Sequence, residues 1–388
     1  MPWETKDVVD ERTRFVLEQQ SAEYTMAELC RIYGIARKTG YLWVRRYEAC
    51  GLEGLKDLRW GAGSHPNRTP ESIESKILAL KQAHPSWGAK KLRGYLSRKR
   101  SEIGWPAVST FGEILRREGL SAPQKKCHRI PLYTQPFQTV AGANHLWCAD
   151  FKGWFRTGDG ERVDPLTISD AHSRYLLRCQ SVEKTNTEQV LAIFAAVFRE
   201  YGMPESIRTD NGPPFASRAI AGISVLSLHW MKLGIKPERI KPGCPQQNGR
   251  HERMHRTLKA ETAKPPSANR RAQQRAFDRF RQQYNDERPH EALQQQTPAS
   301  QYQASPRRYP DRVPEPEYDT HMKVKRVYPD GTFFWKGTQI FISKALGKQR
   351  IGLEVIDERY WTIYFASFPL GQFDSYQQRV QPQVAVQK

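Results

Sequence analysis

Between residues 145 and 210 the chain runs through three strand candidates, a helix and a fourth strand. That order limits the folds open to it more than any other feature. The strands are expected over 145–155, 162–169 and 174–182, the first two joined by the turn signal Thr157-Gly158-Asp159-Gly160. A helix fits 188–201, ended by Gly202 and Pro204, and leads into the short strand 206–209. Hairpin strands followed by helix and strand call for a mixed sheet covered by helices.

Three carboxylates mark this region. Asp150 closes the apolar run Leu146-Trp147-Cys148-Ala149, Asp210 follows the fourth strand, and Glu252 opens a helical pattern after the breaker-rich stretch from Pro242 to Gly249. Two acids at strand ends and one on a helix can converge on divalent cations, whose natural ligands are oxygens. Asp159, Asp164 and Asp170 read instead as exposed turn or cap residues, with Asp170 held in reserve.

Charge suggests the partner. The 388 residues carry 61 Lys and Arg against 41 Asp and Glu, a net +20, so a polyanion is expected. The longest apolar run, 190–198, is too short to span a bilayer and no secretory signal opens the chain. The expectation is a soluble intracellular protein whose partner is DNA or RNA, not a membrane. The six cysteines form no C-x-x-C pair, and they read as reduced thiols without a structural zinc. No phosphate-cradling G-x-x-x-x-G-K-[ST] loop occurs, so no nucleotide cofactor is implied.

The N-terminal segment reads as helices. Thr25 with Glu28 forms a capping-box signature, Gly34 breaks the helix, and a second helix runs from Ala36 towards Tyr47. This is a helix-turn-helix pattern, with Leu29, Ile32, Ile35, Leu42 and Val44 as its core. Arg37, Lys38, Thr39, Arg45 and Arg46 are its DNA-contacting candidates. After a linker at 59–69, helices are expected over 71–83, 87–99 and 108–118, basic along Lys90, Lys91, Arg93, Arg98, Arg116 and Arg117. Of these, Lys90, Lys91 and Arg116 are the DNA-binding candidates. Residues 123–141 look extended, 264–283 helical and basic, and 303–318 a Pro- and Tyr-rich linker. Short strands over 323–328, 332–335, 338–342, 350–356 and 361–365 suggest a small SH3-like β-barrel.

The blocks Trp147-Cys148-Ala149-Asp150-Phe151, Arg208-Thr209-Asp210-Asn211-Gly212 and Gln247-Asn248-Gly249-Arg250-His251-Glu252 resemble the catalytic blocks of the retroviral-integrase superfamily. The likeness is to DDE transposases of bacterial insertion sequences. Residues 27–47 resemble their helix-turn-helix, and Arg288-Pro289-His290-Glu291 with Thr297-Pro298-Ala299 the segment that closes their catalytic domain. The resemblance implies a ribonuclease H-like α/β core between all-α DNA-binding domains and the C-terminal barrel. The expected divisions are 1–58, 69–122, 140–302 and 320–378. It implies Asp150, Asp210 and Glu252 as catalytic ligands of two Mg²⁺ ions, with Mn²⁺ able to substitute. It further implies a bacterial cytoplasmic, nucleoid-associated protein whose substrates are double-stranded DNA, the terminal inverted repeats and target DNA, handled by a dimer or higher oligomer. It also implies a basic residue seven after the Glu, which Lys259 supplies. On a helix, Arg256 and Lys259 share the face of Glu252, and Arg250 stands beside them as a further DNA contact. One departure stands out. Glu252 follows Asp210 by 42 positions, longer than the retroviral spacing, with the extra length expected in 215–234.

Two rival readings are weighed. His251-Glu252-Arg253-Met254-His255 matches the H-E-x-x-H pattern of zinc peptidases. However, Leu258 and Glu261 stand where an extended motif would put a third His, and a basic DNA-binding N-terminus has no role in a peptidase. A catalytically inactive, transposase-derived DNA-binding regulator is the other. It would have no need to keep all three carboxylates.

Overall fold

The computed structural model describes residues 8–57, 68–121, 140–183, 185–217, 222–240 and 249–382, in two compact units divided after Thr69. Most of the 59–69 linker, nearly all of the extended 123–141 segment, most of the breaker-rich stretch before Glu252 and the side chain of Arg250 lie outside the described residues.

The first unit has three helices, α1 (Val8–Gln20), α2 (Met26–Ile32) and α3 (Arg37–Cys50), closed by a 3₁₀ turn at Gly51–Leu55. The expected capping box is present: Glu28 N–H donates to Thr25 Oγ1 and Thr25 N–H to a Glu28 carboxylate oxygen. Gly34 ends α2 in the left-handed region at φ +64°. The core differs from the expected set. Ile32 and Leu42 are exposed, while Phe15, Val16, Cys30 and Leu55 join Leu29 and Val44 inside. The helices cross so closely at Gly40 that a Cβ there would lie 2.7 Å from Cys30 Sγ.

The second unit begins with α4 (Glu71–Ala83), α5 (Ala89–Lys99) and α6 (Val108–Arg117), packed around Ile77, Trp87, Leu92, Phe111 and Ile114. An α/β domain follows. Its strands are β1 (Leu146–Phe151), β2 (Phe155–Arg156), β3 (Arg162–Asp170), β4 (Leu176–Val182), β5 (Ser206–Thr209) and β6 (Lys236–Arg239). Its helices are α7 (Thr187–Tyr201), α8 (Val225–Lys232), α9 (Gly249–Thr262) and α10 (Arg270–Gln282). The sheet is mixed: β3 pairs antiparallel with β1 and β4, whereas β1–β5 and β5–β6 are parallel. The first strand is shorter than expected, because Gly153 at φ +86° turns the chain out of the sheet.

Strand alternation decides which face each side chain serves. Trp147, Ala149, Leu166 and Ile168 pack with Val190, Phe194 and Phe198 of α7 on one face. On the other, Val163, Leu176 and Cys179 pack with Met254 and Leu258 of α9 and Phe277 and Phe280 of α10. Full burial of such side chains stabilises the fold by about 1.5–3 kcal/mol each. The interval between Asp210 and Glu252 holds α8 and β6.

Three expectations need correction. Asp170 is fully buried, not exposed: its carboxylate accepts from Asn144 N–H at 2.8 Å and from Ser173 N–H and Oγ–H at 2.7 and 2.6 Å, stapling the turn between β3 and β4. Asp164 is also buried, 3.6 Å from an Arg162 guanidinium nitrogen. The stretch 303–318 is no free linker. Tyr302 stacks on Tyr175 with centroids 4.4 Å apart, and Arg307 donates to the carbonyl oxygens of Pro204 and Leu233.

The C-terminal strands are β7 (Lys323–Arg326), β8 (Thr332–Trp335), β9 (Thr338–Phe341), β10 (Arg350–Val355), β11 (Tyr360–Phe365), β12 (Phe368–Asp374) and β13 (Arg379–Pro382), the last two unforeseen. They form a five-stranded sheet ordered β13-β12-β11-β10-β7 and a separate β8–β9 hairpin. Both enclose one core that extends onto Leu228 and Met231 of α8. No ladder among the described residues closes the two into a barrel.

Candidate active site

The register of the sheet sets the site. Leu146, Trp147 and Cys148 pair with Ser206, Ile207 and Arg208, and the same offset carried forward brings Asp210 opposite Asp150 on neighbouring strands about 4.8 Å apart. Past β5 the chain turns tightly, with Gly212 N–H donating to Asp210 Oδ1 at 3.2 Å. A Cβ at position 212 would sit 3.0 Å from Asp210 Oδ2, so the glycine leaves this carboxylate its room.

Glu252 comes from α9, whose two faces have different tasks. His251, Met254, His255, Leu258 and Thr262 form the buried stripe, while Glu252, Arg256 and Lys259 at i, i+4 and i+7 are exposed together. These three line an open cleft of about 380 Å³ with Lys152, Ala260 and Lys264. Lys152 and Lys264 escaped the sequence reading. The signal for Lys152 was its place two residues after Asp150.

The charges interact. Asp150 is pushed up to about 7, first by burial, then by the negative charge of Asp210, with Glu252 adding in the same direction and Lys152 opposing. A buried carboxylate whose proton affinity is raised by neighbouring carboxylates has the donor chemistry that a hard divalent cation satisfies. The residues present therefore fit such an ion.

Behind Asp150 lies a neutral brace. Thr167 is its cross-strand partner. The Thr167 hydroxyl lies 2.7 Å from His251 Nε2 and 2.6 Å from His255 Nε2, and 3.2 Å from the Asp150 carbonyl oxygen. Because a hydroxyl has one proton, at least one imidazole must donate to it. Burial pushes His251 down to about 3 and His255 to about 2, so both rings are neutral at physiological pH. Asp150, His251 and His255 offer possible ligand atoms within 4.8 Å of one another. The histidines, however, face inward onto Thr167 while Glu252 faces the cleft, which is not the arrangement of a zinc peptidase's ligand pair and base.

Family models now bear on this geometry. Two described as integrase core domain match residues 141–245 and 233–298. A helix-turn-helix domain model matches 11–64, and a homeodomain-like domain model 39–115. A 31.7 kDa uncharacterized protein of insertion element IS407 from Burkholderia multivorans is 24% identical over 65% of this chain and 88% of its own length. A 39.2 kDa uncharacterized protein of insertion element IS476 from Xanthomonas euvesicatoria is 26% identical over 71% of this chain and 77% of its own. Together these matches support a DDE transposase of the integrase superfamily. Among solved structures, the HTLV-2 integrase catalytic core domain in complex with magnesium is similar at 18% identity and a TM-score of 0.34, covering 42% of this chain and 97% of that one.

Elsewhere in the chain the basic candidates divide. Arg37, Lys38 and Arg45 are exposed on α3 and Arg116 on α6, with Thr39 half-buried. Arg46 is committed within its own unit: it donates to the Lys56 carbonyl oxygen at 2.7 Å and lies over the Trp43 ring. Lys90 pairs with Glu291 at 2.6 Å. Lys91 is pushed down to about 8 by burial and by the nearby Arg288. Lys91 thus turns towards the α/β domain, away from the open basic face expected of it, whereas Lys90 stays exposed beside Glu291.

Proposed function

We propose that this transposase binds the terminal inverted repeats of an insertion sequence and catalyses metal-dependent strand cleavage and strand transfer, with Asp150, Asp210 and Glu252 as its metal ligands. The observation that carries the reading is the parallel β1–β5 pairing, which sets Asp150 beside Asp210 with the Glu252 helix across from them. When bound, two Mg²⁺ ions, or Mn²⁺ in their place, would polarise the attacking and departing oxygens of a phosphodiester.

The chain's own groups do the rest. Asp150 would serve both ions, and Asp210 and Glu252 would hold one each. Lys152, Arg256 and Lys259 draw the DNA backbone into the cleft, supplying affinity without sequence choice. Arg37, Lys38 and Thr39, at the start of α3, supply end recognition, and Arg116 adds a phosphate contact. Hydrolysis at the element end leaves a 3′-hydroxyl, and that hydroxyl then displaces a 3′-oxygen in target DNA. Two ends must be held together, so the working form is a dimer or higher oligomer. The domains follow as 1–58, 69–122, 140–302 and 320–378, the last an SH3-like module in an open form.

The test uses the full chain and a labelled duplex carrying the DNA that flanks the gene. Mg²⁺ should produce a nick with a free 3′-hydroxyl at the element boundary, and chelation should abolish it. Binding of the ends without a cut in either Mg²⁺ or Mn²⁺ would point instead to a DNA-binding regulator.

A further inference from the structure

We infer that an apolar hollow beside the cleft receives one nucleobase unstacked from the DNA end, with Trp154 as its stacking platform. The inference rests on the reading of the cleft as the place where DNA is cut. The hollow measures about 290 Å³ and shares Lys152 and Lys259 with the cleft, so the two open into one another. Pro165, Leu258 and Phe277 supply its apolar walls.

Trp154 stands here for a local reason. Gly153 turns the chain out of β1, and the indole that follows is 55% exposed although it lines an apolar hollow. The guanidinium groups of Arg162 and Arg156 sit 5.0 and 6.0 Å from its ring centroid. An exposed aromatic ring among cations, at the edge of a groove that follows a phosphate backbone, is the combination that holds unpaired bases.

Charge selects the occupant. The residues lining the hollow include two lysines and no carboxylate, so an acidic backbone with an aromatic appendage suits it. A phosphate reaching Lys152 or Lys259 leaves its own base within reach of the hollow. Arg156 and Arg162, which cover the indole in the free protein, can move to flanking phosphates and clear the ring. Extraction costs base-pairing and stacking energy, and this cost falls where the pair is already weakened.

Mismatch scanning tests the inference. Duplexes carrying the gene-flanking end, each with a single mismatch at a different position near the boundary, are titrated with full-length protein in the absence of divalent metal. In the wild type one position should bind roughly tenfold tighter when mismatched, because the cost of extraction has been removed. Trp154→Ala should lose that preference, and Trp154→Phe, which keeps a ring, should retain most of it. A wild type indifferent to mismatches at every position overturns the inference. So does a Trp154→Ala profile identical to the wild type's. Because the readout is binding without metal, either result stands apart from a failure to cut in Mg²⁺, which would count against the cleavage reading itself.

Discussion

The Thr167 hydroxyl lies 2.6 Å from His255 Nε2, and this contact ties the helix bearing Glu252 to the strand beside Asp150. The same oxygen meets His251 one helical turn earlier. Since all three groups are buried, their hydrogen bonds face no competition from water. Thr167→Val keeps the shape and removes the oxygen, leaving the imidazole nitrogens without this partner at a cost of about 1–3 kcal/mol. Thermal unfolding should register that loss, and cleavage should fall more than end binding. Thr167→Ser should restore both. A valine variant as stable and as active as wild type would show that the brace does not seat Glu252.

Asp150 gives the metal-free protein a pH dependence of defined sign. Its folded pKa, about 7, lies above the ordinary value of 3.8, so the folded state binds more protons across that interval and loses stability as pH rises through it. Asp150→Asn carries no charge to bury. In chelator, its melting temperature should exceed the wild type's at about pH 8, with the gap closing towards about pH 5. Mg²⁺ should raise the wild type's melting temperature at about pH 8 and leave the variant's unchanged. Equal melting temperatures throughout would remove the electrostatic strain from the account.

Lys259 and Glu252 share a helical face and differ in task. Lys259→Ala should bind Mn²⁺ as the wild type does and yet cut more slowly, because a scissile phosphate misplaced by about 1 Å can cost roughly a hundredfold in rate. A Mn²⁺ titration beside a cleavage time course separates these effects. A normal rate would make Lys259 a solvated charge.

In the first unit, Arg37 and Arg46 should part company. Arg37 is exposed on α3, so Arg37→Ala should weaken end binding and reduce the log–log salt slope by about 0.9 if it neutralises one phosphate. Arg46 holds the Lys56 carbonyl, so Arg46→Ala should lower the unit's melting temperature first and binding second. Identical effects of the two substitutions would contradict this division.

How much the sequence disclosed follows from the range of the forces involved. Strand alternation and helix periodicity are local, so β1, β3, β4, α7 and the pairing of Glu252 with Arg256 and Lys259 were legible. The β1–β5 adjacency joins distant segments, so no local pattern discloses it. What stayed hidden depends on contacts between distant segments. Asp170 looks like any turn acid until Asn144 and Ser173 close on it, and Ile32 looks like core until Phe15, Val16 and Leu55 fill the interior in its place. Lys91 looks like an open basic residue until burial beside Arg288, far along the chain, encloses it. The strands β12 and β13 carry mixed polar and apolar residues around Gly371 and Gln378, so their alternation is weak in isolation.

The central claim is that Glu252 completes a ligand set with Asp150 and Asp210. Mn²⁺ binding, followed by calorimetry on the full chain, tests it most directly when wild type, Glu252→Gln and His255→Gln are compared. Mn²⁺ affinity should collapse in Glu252→Gln and survive in His255→Gln, whose side chain serves the brace. Undiminished binding by Glu252→Gln, with loss in His255→Gln, would place the ion on Asp150, His251 and His255 and contradict the account.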